Sequence, residues 1–300
     1  EIGMYHSYLE VNFGNMKEQY RKVQAAAAPR GVIPVMKANA YGIGLLPMAD
    51  FLVNTMGAEV LAVAQTCEGV ALRQGGFRRA DIMLLGPAPE NAVPYAVENR
   101  LLLPVFNREN ADMVDAAARE QGIVARVQLK INTGMNRIGV CAGPDLDALL
   151  AHLKTLRSIA VDGVFTHFVN ATYTDDPQTP VAYEKFCRAV EQIRAAGFAP
   201  RYIHCCNTGA TSWFKGDAIS THVRPGSLYM GYDSAPTGSR CRRASPGGPS
   251  SPICTPSTRG RAAGTATILW RKRIRWWPRW TSAMPTVCSV PWPRGPASSC

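Results

Sequence analysis

Eight short apolar runs, separated by longer stretches with helical spacing, constrain this 300-residue chain more than any other feature. The runs fall at residues 32–36, 60–64, 81–85, 101–105, 125–130, 161–166, 201–205 and 221–224. Bounded by turn formers, such runs read as strands. Segments 45–56, 66–75, 107–121, 145–156 and 179–196 have helix-like content and spacing, and a further helix is expected over Gly14 to Ala28, ahead of the first strand. Strands alternating with helices imply parallel pairing through helical crossovers, and eight such units favour a TIM-type (β/α)8 barrel of the α/β class. Closure of a sheet is invisible in sequence, so a doubly wound open sheet remains the alternative.

A barrel has a chemical consequence, because the carboxyl ends of its strands converge on one open face where active sites are built. Lys37, Lys130, His167, Asn207 and Arg224 all fall at or just beyond those ends. Lys37 is the most informative of them: the apolar run Val32 to Met36 delivers a lone amine into small and turn-forming residues. Such a lysine can form a Schiff base in a cleft, although the pattern also suits a solvated lysine at a strand end. The Asn207-Thr208 pair offers donors to a phosphate or a cap to a helix, and the turn Val223-Arg224-Pro225-Gly226 lets main chain approach an anion closely. Arg224 by itself fits a substrate carboxylate or a surface ion pair equally well.

The formal charge of +11 points towards nucleic acid until its distribution is considered. From Asp233 onward there are 11 Lys or Arg and one acid, leaving 22 bases and 21 acids in residues 1 to 232. Five of the six tryptophans also lie beyond the boundary, where His, Glu, Tyr and Phe are absent. This composition reads as a shifted reading frame joined to a normal amino-terminal product; the alternative is a true basic tail rich in Pro, Ser and Arg. Residues 7–231 are thus expected to form the barrel and 232–300 an aberrant, disordered or frameshifted tail. The run Arg271 to Trp280 has charge and aromatic rings but neither a sustained helical face nor a recognition fold, so no specific nucleic-acid or membrane partner is expected.

No long apolar span or secretory leader is visible, which makes cytoplasmic residence the default expectation, although Glu1 in place of an initiator Met leaves a leader open. Cys67, Cys141, Cys187, Cys205 and Cys206 have the spacing of neither a zinc set nor a disulfide framework, so reduced structural thiols and no metal site are expected.

Five motifs, in order, carry a resemblance to a known family. They are Val35-Met36-Lys37-Ala38-Asn39-Ala40-Tyr41-Gly42, the run Leu129 to Gly139 containing Lys130 and Arg137, Thr166-His167-Phe168, His204-Cys205-Cys206-Asn207-Thr208, and Val223-Arg224-Pro225-Gly226. Through them residues 7–231 resemble the alanine racemase family. The resemblance implies a fold-type III pyridoxal 5'-phosphate barrel, followed in intact members by a mainly β domain that is missing or disrupted here. It implies that Lys37 holds the cofactor covalently and is the base for one face of the substrate's α-carbon. Tyr41, Thr208 and the Gly226 backbone would contact the phosphate, with Asn207 shaping that side. His167 would meet the ring, Arg137 the phenolic oxygen side and Arg224 the pyridine nitrogen. An arginine there does not readily release its proton, which leaves the ring nitrogen largely unprotonated and favours simple proton exchange. Lys130 resembles a lysine carbamylated in some members, and unmodified it would repel Arg137.

The implied reaction is interconversion of L-alanine and D-alanine for cell-wall precursor supply, in a homodimer acting on a small amino acid. Alternatives are a racemase for serine or another amino acid, or a non-catalytic cofactor-binding protein. Ile43, Thr208, Cys205-Cys206 and the run Ser227 to Gly231 depart from the family's usual residues, which bears on substrate choice. The family's second proton-transfer tyrosine, from the second domain of a partner subunit, has no counterpart, because no Tyr follows Tyr232. The exact chain is therefore expected to be a poorly active or inactive fragment.

Overall fold

The computed structural model describes residues 8–231 and 268–271. The expected tail otherwise lies outside the described residues. Strand β1 (Tyr8–Val11) pairs antiparallel with Ile268–Arg271, Tyr8 facing Arg271 and Val11 facing Ile268. Helix α1 (Phe13–Ala27) follows, capped by Asn12, whose side chain accepts from the Asn15 N–H at 3.0 Å. Met16, Tyr20, Val23 and Ala27 are its buried residues, a helical stripe facing the barrel.

The barrel begins with β2 (Gly31–Val32) and the turn α2 (Lys37–Tyr41), then α3 (Leu45–Asp50) running into a π-helical turn at Phe51–Thr55. Next come β3 (Val60–Val63), α4 (Thr66–Gln74), β4 (Asp81–Leu84), α5 (Val93–Glu98), β5 (Leu103–Val105) and α6 (Arg108–Glu120). The second half is β6 (Ala125–Lys130), α7 (Pro144–Leu153), β7 (Ile159–Phe165), α8 (Gln178–Ala195), β8 (Tyr202–His204), α9 (Thr208–Trp213) and β9 (His222–Val223).

Hydrogen bonding answers the question of closure. Strands β5 to β8 form one parallel sheet, β3 pairs with β4, and single parallel bridges at Val35–Ala62 and Met83–Leu102 join the remaining neighbours. The first strand then pairs with the last, Gly31 facing His222 and Val32 facing Val223. The Thr221 N–H to Ile203 C=O and Arg224 N–H to Cys206 C=O bonds, each 2.8 Å, complete the ring between β8 and β9. The open doubly wound alternative is thereby excluded.

Two cores follow from strand alternation. Ile33, Val35, Val60, Ala62, Met83, Leu102 and Tyr202 pack together, whereas the alternate residues Leu61, Val63, Ile82 and Leu84 pack in the larger core with the helices. Phe186, Val190 and Ile193 of α8 belong to that larger core, each worth roughly 1.5–3 kcal/mol of apolar burial. A register shift between Val127 and Gln128, where Val161 and Gly163 are their partners, leaves Asp162 out of the ladder; its carboxylate accepts from Arg126 Nε at 2.9 Å.

Candidate active site

Lys37 stands exposed at the mouth of the barrel, immediately after the buried Ile33–Met36 run. The chain then does something unusual: Ala38, Asn39, Ala40 and Tyr41 all have φ of 53–55°, a left-handed turn closed by Gly42 at φ 87°. Each non-glycine residue there costs about 1–2 kcal/mol, so the turn needs external support. Asn39 provides much of it, its Oδ1 accepting from the Leu45 N–H at 2.8 Å and its N–H donating to Glu68 Oε1 at 3.2 Å. The other Glu68 oxygen accepts from the Ala64 and Gln65 N–H groups at 3.0 and 3.2 Å, tying the lysine turn to the start of α4.

The left-handed turn brings Tyr41 against Gly226, just past the end of the neighbouring strand β9. A Cβ built on Gly226 would lie 2.1 Å from the Tyr41 hydroxyl, so only glycine fits beneath that phenol. The Gly226 N–H donates to Thr208 Oγ1 at 2.8 Å. Burial pushes the Tyr41 hydroxyl up to about 12, which keeps it a hydrogen-bond donor at neutral pH. Three residues separated by as much as 185 positions therefore form one cradle of donors. Asn207 shapes its rim: Oδ1 accepts from the Ala210 N–H at 3.2 Å, capping α9, while Nδ2 donates to the Phe168 carbonyl at 3.1 Å and approaches His167 Nε2 at 3.5 Å.

Arg137 rides on a loop that folds back over the end of β6. Asn132 Oδ1 accepts from the Gly134 and Asn136 N–H groups, both at 3.1 Å, and the Val140 N–H returns to the Lys130 carbonyl at 3.0 Å. Gly139, at φ 129°, would put a Cβ 2.7 Å from the Asn132 nitrogen. Lys130 itself is 3% exposed, with Nζ 4.8 Å from the centre of the Phe165 ring. Burial first, then the charges of Arg224 and Arg137, lower its amine to about 6. His167 falls to about 3, through burial and then the charges of Arg224, Lys130, Arg137 and Lys37. The charges acting on both groups are all positive.

Arg224 is the fixed member of this set. Its Nη1 donates to His204 Nδ1 and the His204 carbonyl at 2.8 and 2.7 Å, and its Nη2 donates to the Thr166 carbonyl at 2.6 Å. Burial lowers the guanidinium to about 10, still charged at neutral pH. The surface ion pair allowed by the sequence does not form: the guanidinium is 3% exposed and held in place by carbonyls. Glu68 and Asp217 were not singled out by sequence, and His204 and Asn132 lie inside the motifs above without an assigned role; only folding brings the four to the site. A concavity of about 260 Å³ lined by Thr133, Gly134, Val169, Pro177, Gln178 and Lys185, among others, contains none of the residues named for the cofactor.

These residues fit an anionic cofactor on their own terms. A cradle with no room for a Cβ, beside a concentration of basic groups, suits an anionic group brought close to main chain. Closure into a parallel barrel with its basic groups at the carboxyl end gives the molecule the fold of the fold-type III pyridoxal-phosphate class. The family follows from comparison: the alanine racemase N-terminal domain matches residues 11–234, and the chain belongs to the alanine racemase family, a family of pyridoxal-phosphate-dependent amino-acid racemases.

Alanine racemase of Desulfovibrio desulfuricans is 31% identical over 204 residues, 68% of this chain and 54% of that protein. Alanine racemase 1 of Oceanobacillus iheyensis is 36% identical over 200 residues, 66% and 52% of the two chains. The chain thus spans about half the length of these curated relatives. Alanine racemase of Clostridium difficile, solved in complex with cycloserine, superposes with a TM-score of 0.74 at 27% identity over 78% of this chain and 64% of that one. Histidine racemase of Leuconostoc mesenteroides, at 23% identity and a TM-score of 0.71, shares the fold. No helix among the described residues is long and apolar enough to cross a membrane.

Proposed function

We propose that residues 8–231 are the cofactor-binding half of an amino-acid racemase acting on alanine, with the homodimer implied by its family. The observation that carries this reading is the convergence of Tyr41, Thr208 and Gly226 beside cations that no carboxylate offsets at Lys130 and His167. Tyr41, Thr208 and the Gly226 backbone would hold the phosphate of pyridoxal 5'-phosphate, His167 and Arg137 its ring and phenolic oxygen, and Lys37 its aldehyde carbon. The cofactor supplies the electron sink that acidifies the α-carbon.

The chain's own groups account for half of a racemisation. Lys37 Nζ, exposed at the mouth, takes or returns the α-proton on one face. Arg224 stays protonated and rigid, so beside a pyridine nitrogen it would donate a hydrogen bond without transferring its proton. Lys130, lowered to about 6 and so mainly neutral at pH 7, is in the form that takes up carbon dioxide; the carbamate would supply the missing negative charge beside Arg137. Residues 233–300 contain no tyrosine for the second face.

The test is α-deuterium exchange with L- and D-alanine by this chain loaded with pyridoxal phosphate, with chirality followed in parallel. Exchange of one enantiomer without inversion is expected. Exchange and inversion at equal rates would show a complete two-base site, and absence of both covalent loading and exchange would overturn the reading.

A further inference from the structure

Cys205 and Cys206, adjacent in sequence just past β8, both turn their thiols onto one carboxylate oxygen. Asp217 Oδ2 lies 3.5 Å from Cys205 Sγ and 3.3 Å from Cys206 Sγ, and the two sulfurs are 3.9 Å apart. Both cysteines are 0% exposed and the Asp217 side chain is fully enclosed. Arg30 Nη1 donates to the same Oδ2 at 2.8 Å, and Ser220 Oγ is 3.3 Å from Cys205 Sγ. The three donor atoms all lie within 4.8 Å of one another.

From this geometry we propose that Cys205, Cys206 and Asp217 form a binding site for a divalent, thiophilic, tetrahedral metal ion of the zinc class. With Zn–S near ~2.3 Å and Zn–O near ~2.0 Å, a tetrahedral ion requires S···S and S···O edges of roughly 3.8 and 3.5 Å. The triangle here has edges of 3.9, 3.5 and 3.3 Å. Charge agrees as well as shape. Two neutral thiols, one carboxylate and one guanidinium sum to zero; replacing the two thiol protons with a divalent ion gives two thiolates and the same zero sum. The reaction is M²⁺ plus two S–H giving M(S⁻)₂ plus two H⁺, with no oxidant or reductant. Arg30 then serves as the counter-charge on Asp217, and the Ser220 hydroxyl or a water closes the fourth position.

The site is separate from the pyridoxal-phosphate cradle but mechanically joined to it. The Cys206 carbonyl accepts from the Arg224 N–H at 2.8 Å and the Cys205 carbonyl from Arg224 Nη2 at 3.4 Å. An ion on the two sulfurs would therefore stiffen the peptides that seat Arg224.

The experiment is titration of the reduced full chain with Co²⁺ and Cd²⁺, alongside Cys205→Ala/Cys206→Ala and a Cys67→Ser/Cys141→Ser control. The parent and control should show the visible bands of tetrahedral Co²⁺, a Cd–thiolate ultraviolet band, two protons released per ion and a metal-dependent rise in Tm. The Cys205→Ala/Cys206→Ala chain, folded by circular dichroism, should bind one equivalent fewer and lose the Tm rise. Equal stoichiometry and Tm response in that chain would overturn the proposal. So would a parent that binds no ion or binds only in octahedral geometry. Neither result depends on cofactor loading or racemase activity.

Discussion

The two ends of the barrel handle charge in opposite ways. Towards the amino end, Asp81 opens β4, Arg126 lies early in β6, Asp162 is midway along β7, and Arg201 immediately precedes Tyr202 at the start of β8. Arg126 Nη1 and Nη2 reach the two Asp81 oxygens at 2.6 and 3.0 Å, Tyr202 donates to Asp81 at 2.6 Å, and Arg201 also pairs with Asp81. Burial raises the Asp81 carboxyl, but the Arg126 and Tyr202 hydrogen bonds outweigh it and hold the group below its ordinary value. Asp81 in turn holds Arg126 up. At the carboxyl end Lys37, Lys130, Arg137 and Arg224 act together on His167, with no acid among the charges that shift it. Alternating signs close a barrel; accumulated like charges lower its stability until an anion arrives.

Removing the lysine should break the functional end most sharply. Lys37→Ala is expected to abolish borohydride-trapped attachment of pyridoxal phosphate, read by intact mass, and to lower α-proton exchange by about 10²- to 10⁴-fold. Lys130 tests the burial and the crowding of basic groups that hold its amine neutral. Between about pH 6 and its ordinary value near ~10.4 the unfolded chain binds a proton there that the folded chain does not, so stability rises with pH at up to about 1.4 kcal/mol per unit. Lys130→Met should remove that slope in urea unfolding in carbonate-free buffer over this range; an unchanged slope would place the amine in water.

The amino end should respond in the other sense. Asp81→Asn is expected to cost about 2 kcal/mol at pH 7, leaving Arg126 without its main partner, while cofactor attachment stays unchanged. Because the folded carboxyl is depressed, its contribution is present above an unfolded value near ~3.9 and fades as pH falls through the folded one. Parallel unfolding curves of parent and variant below that pH would check it. The smallest effect is expected from Thr208→Val, which removes the acceptor of the Gly226 N–H: about tenfold weaker pyridoxal-phosphate binding by fluorescence titration, equivalent to ~1.4 kcal/mol.

Much of the frame was legible in advance because strand and helix periodicities are local. The run 125–130 is β6 residue for residue, 66–75 exceeds α4 by one residue at its end, and 107–121 exceeds α6 by one residue at each end. The expected helix 45–56 instead divides into α3 and a π-helical turn. Helices α5 and α9, six residues each, are too short for a hydrophobic period to show; Pro94 sits in the first turn of α5, where proline is suited. The left-handed turn after Lys37 was hidden because Ala38, Ala40 and Tyr41 carry no propensity for it; Glu68, 31 positions after Lys37, supplies part of its support. Cysteine spacing could not show Asp217 beside Cys205 and Cys206, because that carboxylate becomes their neighbour only through the return loop between α9 and β9.

By itself the sequence determined the alternation that makes a parallel α/β fold and offered Lys37, Tyr41, Lys130, Arg137, His167, Asn207, Thr208, Arg224 and Gly226 as candidates for the site. Only the tertiary structure decided that the sheet closes, that Tyr41 lies against Gly226, and that the basic groups share one electrostatic neighbourhood. The reason is physical. Apolar periodicity depends on residues three or four apart, whereas burial and Coulomb interaction depend on distances that exist only after a closed barrel has brought the ends of its strands together.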